Sequence, residues 1–330
     1  MGTRVLVTGA SGFIGSHVVE SLIRAKFEVT ALVHYNGRND RGWLKDVNPE
    51  LNKSFKVVFG DITDTEQITN FISGNEVVIN LAALIAIPYS YVAPRSYINT
   101  NLLGTLNILE AIKKEKSNGI KLVQISTSEV YGTPKSTPIL ETHAINPQSP
   151  YAASKSAADQ LCISYYKSFD TSVNILRPFN TFGPRQSMRA VIPTVINQFI
   201  FNKGRINVGS LTPKRDFTYV SDTAEAIVLM AKEDKEFGNT IQLGTGLAYS
   251  VEEVIKICEE ISGIKAEIIS EKIRLRPEKS EVQILLSDPS LAEKKLNWRH
   301  KVDFKEGLRR TFEWQKTNSH LFSESESYAT

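Results

Sequence analysis

Short apolar runs alternating with helical segments predict an α/β protein, a Rossmann-type doubly wound parallel sheet with a smaller α/β substrate-binding domain. The runs Arg4–Val7, Glu28–Val33, Lys56–Phe59, Glu76–Leu81, Lys121–Ile125 and Val173–Leu176 have the length and apolarity of buried strands. The segments between them carry helical spacing, which implies parallel strands with helices on both faces. A glycine-rich turn follows the first run directly, and such turns place ligand-binding loops at the carboxyl ends of the strands.

Bulk composition narrows the partners. With 330 residues, 41% of them hydrophobic, the chain can bury a full core. A net charge of +3 from 39 basic and 36 acidic residues demands neither nucleic acid nor an anionic membrane. Cys162 and Cys258 stand far apart without metal-ligand spacing, so neither a disulfide framework nor a metal site is expected. The run Val5-Leu6-Val7 is too short for a secretory signal, and no stretch reaches membrane-spanning length. A cytoplasmic protein is the expectation.

Gly9-Ala10-Ser11-Gly12-Phe13-Ile14-Gly15 opens a helix whose apolar pattern continues through Val18, Val19 and Leu22. Gly9 permits the tight turn, Gly12 lets backbone approach a pyrophosphate, and Gly15 lets helix and strand pack closely. The helix N-terminus faces the anion. Residues 1–178 are therefore expected to form an NAD(P)-binding domain, with return segments near 216–245. Where a ribose-reading carboxylate is usual, the second strand ends at Val33, followed by His34, Tyr35, Asn36 and Arg38. NAD and NADP both remain admissible. Asp61-Ile62 after the third strand is a candidate adenine contact, although an Asp there equally suits a helix cap. Leu81, Ala82 and Ala83 close the fourth strand at the same crevice.

Tyr151-Ala152-Ala153-Ser154-Lys155 puts a phenol and an ammonium on one face of a helix started near Ser149-Pro150. A tyrosine becomes a base near neutral pH only when a positive charge favours its anion. Ser126-Thr127-Ser128-Glu129-Val130-Tyr131-Gly132 brings hydroxyls and one carboxylate to the same lip. Simple hydride transfer does not need Glu129, whereas proton abstraction beside a new carbonyl does.

After Pro178 the chain loosens into loops rich in Arg, Pro and Gly, with helices expected near Val191–Asn202, Asp222–Lys232 and Ser250–Ser262. Residues 179–318 are assigned mainly to substrate binding and 319–330 to a flexible tail.

These motifs, with Asn99-Thr100-Asn101-Leu102-Leu103-Gly104-Thr105, Arg177-Pro178-Phe179-Asn180, Gly183-Pro184-Arg185 and Arg215-Asp216-Phe217-Thr218-Tyr219-Val220, resemble the extended short-chain dehydrogenase/reductases of the NAD-dependent epimerase/dehydratase family across roughly residues 3–315. The segments Ala82–Tyr91, Pro184–Thr194 and Arg274–Val282 most resemble bacterial N-acetylglucosamine-nucleotide 4,6-dehydratases of the legionaminic-acid-pathway type. That resemblance implies a tightly bound NAD or NADP recycled within each turnover. Tyr151, with Lys155 and Thr127, takes the C4 hydroxyl proton as the sugar is oxidised. Glu129 removes the C5 hydrogen, the C6 hydroxyl leaves as water, and hydride returns to C6.

Glucose-type dehydratases carry Asp-Glu where this chain has Ser128-Glu129, which leaves open the proton donor to the leaving hydroxyl. The resemblance also implies that Asn180, Arg215 and Arg276, with Arg185 and Arg189, grip the nucleotide diphosphate, and that Tyr89 touches the sugar. It further implies a homodimer or higher oligomer through Leu102–Ile112 and Ala152–Tyr166. The Ser126–Gly132 motif resembles that of UDP-glucuronic acid decarboxylases as well. A 4-epimerase of the same fold, or a non-catalytic dinucleotide sensor or scaffold, is the remaining alternative.

Overall fold

The computed structural model describes residues 2–48, 50–51, 54–115, 119–271, 274 and 277–322. Its main sheet is built from β1 (Arg4–Thr8), β2 (Glu28–His34), β3 (Phe55–Gly60), β4 (Val77–Asn80), β5 (Lys121–Ile125) and β6 (Val173–Pro178), joined later by β10 (Thr240–Leu243). All seven are parallel, in the order β10-β6-β5-β4-β1-β2-β3. The strand order reverses between β1 and β4, and the crevice at that reversal is where an open α/β sheet binds its ligand.

Alternation along the strands divides the core. Val5, Val7, Val29, Ala31, Val77, Ile79 and Val123 pack with α1 (Phe13–Arg24) and α8 (Val220–Ala231). Leu6, Leu32, Val78, Leu122 and Ile175 face the other way, against α2 (Thr65–Ile72), α5 (Gly104–Lys114) and α6 (Pro150–Phe169). Between β4 and α5 lie α3 (Ile87–Val92), α4 (Pro94–Tyr97) and a π-helical turn, Ile98–Leu103.

The second part contains β7 (Asn180–Phe182), α7 (Val191–Phe201), β8 (Arg205–Val208), β9 (Lys214–Tyr219), β11 (Ala248–Ser250), α9 (Val251–Ser262), β12 (Glu267–Ser270), β13 (Ile284–Leu285), α10 (Ser290–Leu296) and α11 (Phe304–Thr317). β9 carries β7, β11 and β13 as neighbours, and β8 pairs with β12. Phe182, Phe199, Phe217, Phe304 and Phe312 form its core. Not all of this stretch stays there: α8, β10, and Ala292, Leu296 and Trp298 at α10 return to the first sheet. The α10 return is not apparent from the sequence.

The stretch expected as a flexible tail opens with defined structure. Ser319–Leu321 forms a 3₁₀ turn, and Phe322 meets Trp314 edge-on at 6.0 Å; residues 323–330 lie outside the described residues. Among the described residues no helix is long and apolar enough to cross a membrane.

The helix that follows the glycine turn is bolted to the loop after β7. His17 Nε2 donates to the Pro184 carbonyl at 3.1 Å, the tautomer this contact requires. Burial, then the nearby Arg185 charge, pulls His17 from 6.5 down to about 4. The unfolded chain therefore takes up the proton first. Stability from the neutral imidazole is complete above about 6.5 and is lost as pH falls towards about 4. His17→Gln keeps a donor but no titration. In urea unfolding, the parent should lose up to about 3 kcal/mol relative to this variant between pH 7 and 4. A constant difference across that window contradicts a buried neutral imidazole.

Candidate active site

Glycine is required at two points of the turn after β1. A Cβ at Gly9, where φ is +64°, would sit 2.7 Å from the Ala82 nitrogen, and one at Gly15 would sit 2.2 Å from the Gly9 carbonyl oxygen. Leu81-Ala82 at the end of β4 thus lies directly against the turn. Gly12 differs, because a Cβ there would meet only the Gly9 carbonyl at 3.3 Å. The protein's own packing does not demand glycine there, and its absent side chain leaves backbone open at the N-cap of α1. No acidic residue occupies the first turn of that helix. This cradle fits the pyrophosphate of a dinucleotide.

The rim beyond β2 is prearranged. Asn36 bonds the His34 and Asp40 carbonyls and the Asp40 amide, while Trp43 N–H bonds the Ser11 carbonyl at 3.0 Å. His34 and Asp61, at the ends of adjacent strands, meet at 3.2 Å. Asp61 also accepts from the Thr63 amide and hydroxyl. The helix-cap alternative for Asp61 is excluded, since Asp64 caps α2. Arg38 is exposed on this rim and makes no ion pair among the described residues. Phe13 lies edge-on to His17, and Ile14 and Ile62 pack inward.

Across the crevice, α6 meets the end of β5 through three residues one turn apart. Ser149 caps the helix and Pro150 occupies its first turn. The Tyr151 phenol lies near enough to Thr127 for that hydroxyl to favour its anion. Lys155 Nζ donates to the Ile125 carbonyl at 2.5 Å, and Asp159 Oδ2 accepts from Ser126 at 2.8 Å. Thr127 in turn accepts from the Glu129 amide at 3.2 Å, starting the 3₁₀ turn Ser128–Tyr131. Glu129 is half-buried, close enough to Tyr151 for its charge to oppose ionisation of the phenol, and its carboxylate has no ion pair among the described residues. Ser128 is buried.

Burial pushes the Tyr151 phenol above its ordinary value, and the Thr127 hydroxyl offsets only part of that. The lowering expected from Lys155 is not the governing effect here. Lys155 is itself held below the usual lysine range by burial, with Asp159 opposing. Tyr151 therefore needs further positive charge beside it to act as a base, which an oxidised nicotinamide ring supplies when bound.

Two residues given no site role in the sequence, Asn101 within the quoted Asn99–Thr105 motif and Tyr97, support this arrangement. Asn101, in the π-helical turn, bonds the Leu84 amide and carbonyl and donates to Ser154 at 2.9 Å, tying the loop after β4 to α6. A π-turn leaves no periodic signal, though such turns concentrate at functional sites. Tyr97 packs edge-on against Tyr151, ring centroids 6.2 Å apart.

The substrate residues divide. Tyr89, part-exposed, lies beside Tyr97, and Asn180 opens β7. Arg189 is exposed, near enough to Tyr97 to favour its anion, and unpaired among the described residues. Arg185 is not a free diphosphate ligand: it donates to Glu20 at 2.7 Å, Ser16 at 3.2 Å and the Asp46 carbonyl at 2.8 Å, bracing α1 against the substrate part. Arg215 is held by Glu281 at 3.0 Å. Arg276 lies outside the described residues. An open hollow of about 670 Å³, lined by Phe27, Phe55, Phe71 and Asn75, lies at the opposite, amino ends of β1–β3 and brings no reactive constellation together.

A GDP-mannose 4,6 dehydratase family model matches residues 6–311, spanning both the cradle and the Tyr151 site. The chain belongs to this family of extended short-chain dehydrogenase/reductases. It is 34% identical over 320 residues to a putative UDP-glucose 4-epimerase of Methanocaldococcus jannaschii, covering 96% of this chain and 99% of that protein. Human dTDP-D-glucose 4,6-dehydratase is 30% identical over 327 residues, covering 96% of this chain and 91% of that enzyme. Among solved structures, UDP-glucuronic acid 4-epimerase from Bacillus cereus, in complex with UDP-glucuronic acid and NAD, superposes with a TM-score of 0.85. It is 31% identical and covers 96% of this chain and 100% of its own. The epimerase/dehydratase family thus includes enzymes of both reaction types close to this chain.

Proposed function

We propose that this family member is a nucleotide-sugar 4,6-dehydratase of the legionaminic-acid-pathway type, converting UDP- or GDP-N-acetylglucosamine to the 4-keto-6-deoxy sugar nucleotide. The observation that carries this is Glu129, a carboxylate beside Tyr151 with no structural partner among the described residues. Epimerisation at C4 gives such a group no task, whereas elimination requires a base for C5.

The cradle at Gly12 binds NAD; the rim formed by His34 and Arg38, lacking a carboxylate at the end of β2, admits NADP too. Bound dinucleotide supplies the acceptor, then the donor, of hydride. Tyr151 takes the C4 hydroxyl proton, with Thr127 aligning the phenol and Lys155 keeping positive charge nearby. The C5 hydrogen, acidified by the adjacent carbonyl, passes to Glu129. The proton so gained leaves with the C6 hydroxyl as water, directly or through Ser128; as hydride reaches C6, C5 takes a proton from solvent, and Tyr151 releases the C4 proton to water. Arg189 and Asn180 face the diphosphate, Tyr89 the sugar. Arg215 joins them only by sharing or leaving Glu281.

One observation favours a second reading: Ser128 stands where glucose-type dehydratases have an acid, and epimerases are among the similar proteins. Protein loaded separately with NAD and NADP should be incubated with UDP- and GDP-N-acetylglucosamine and the products weighed. Loss of one water is expected, and Glu129→Gln should reduce bound cofactor partially while releasing no water. An unchanged mass with inverted C4, or loss of carbon dioxide from UDP-glucuronic acid alone, assigns epimerase or decarboxylase instead. Unaltered sugars with bound cofactor would indicate a sensor or scaffold.

Assembly as a homodimer is part of the same proposal, supported by exposed Leu103, Tyr166 and Phe169 on or beside α5 and α6. Light scattering at micromolar concentration should give at least twice the chain mass, and a monomer contradicts the dimer.

A further inference from the structure

Asp159 is a carboxylate that the reaction above does not consume. It is fully buried, its Oδ2 bound by Ser126 at 2.8 Å and by Arg177 Nε at 2.9 Å, while Oδ1 has no partner. Arg177 is equally deep, stacks over the Tyr131 ring and donates to its hydroxyl at 3.0 Å. Burying such a pair is costly, and apolar residues of similar volume serve a core as well or better. Packing alone gives little reason for it.

Its place on the helix gives a better one. Tyr151, Lys155 and Asp159 follow at intervals of one turn and so share a face of α6. Further groups close on this face from each neighbouring element: Cys162 on α6 itself, Glu129 and Tyr131 from the 3₁₀ turn, Arg177 from β6, and Tyr97 from α4. Glu141 approaches Arg177 and Tyr131 from the loop before α6, and Arg189 approaches Tyr97. Glu110 and Lys113 of α5 meet Tyr165 farther along α6. Among these, Asp159 is the fully buried carboxylate set between two buried cations.

We propose that Asp159 is a positioning residue whose negative charge, anchored by Arg177 and Ser126, holds Lys155 as an ammonium and fixes the charge balance around the Tyr151 phenol. Removing a buried negative charge makes every neighbouring acid easier to deprotonate. Asp159→Asn should therefore move both limbs of the kcat–pH profile towards acid: the acid limb because Tyr151 ionises sooner, the alkaline limb because Lys155 loses its proton sooner. Asp159→Glu keeps the charge and should leave both limbs in place.

The kinetic arm rests on the nucleotide-sugar reading, so a second arm does not. NMR of ¹³C-lysine-labelled, dinucleotide-loaded protein, with Lys155 assigned through Lys155→Met, should place its titration lower in Asp159→Asn by about one pH unit or more. Unmoved limbs and an unmoved lysine titration would reduce Asp159 to a structural residue and overturn the proposal. If no sugar nucleotide reacts even with the parent, the function fails while the lysine titration still decides this point. Should Asp159→Asn not fold, ¹³C-aspartate spectra of the parent, assigned with Asp159→Glu, decide instead. A charged carboxylate between about pH 6 and 9 supports the proposal, and a protonated one overturns it.

Discussion

The grip of α6 on the end of β5 is the contact on which the site depends. Tyr151 beside Thr127, Lys155 bonded to the Ile125 carbonyl and Asp159 bonded to Ser126 are three contacts from successive helical turns to consecutive residues of one strand end. They set the phenol against the turn that carries Glu129. The rest of the architecture brings the other half of the reaction to that point. The parallel order places β4 between β5 and β1, so the glycine turn lies across the crevice, with Leu81-Ala82 packed against it.

Charge is distributed with equal consequence. Burial disfavours both the tyrosinate and the ammonium, so neither Tyr151 nor Lys155 is poised by the other alone. In the proposed reading, the buried Arg177–Asp159 pair and a bound oxidised nicotinamide tip the balance. The arginines farther out have separate duties. Arg185 spends its donors on Glu20, Ser16 and the Asp46 carbonyl, fixing the angle between α1 and the loop after β7, whereas Arg189 keeps its guanidinium open near Tyr97.

Much of this was legible in the chain. The six strands fall within about two residues of their apolar runs, because strands buried on both faces must be continuously apolar. Gly9 and Gly15 were readable because only glycine fits there, and Tyr151 and Lys155 because one helical turn separates them. What escaped depends on long-range contact. The return of Leu296 and Trp298 to the first sheet and the π-turn at Asn101 leave no local pattern. Arg185 and Arg189 look alike in sequence, and only the acid that folds against Arg185 tells them apart. The spacing of Asp159 from Lys155 was visible, but its burial was not. At the tail, polar composition hid the contact of Phe322 with Trp314.

A crystal structure of the protein with dinucleotide and an unreactive N-acetylglucosamine nucleotide bears most directly on the account. It should show the Tyr151 oxygen at about 2.6–3.2 Å from the C4 oxygen, the Glu129 carboxylate against the C5 hydrogen and the dinucleotide pyrophosphate on the Gly12 backbone. A Glu129 side chain turned away from the hexose, or a sugar ring seated out of reach of Tyr151, would contradict it.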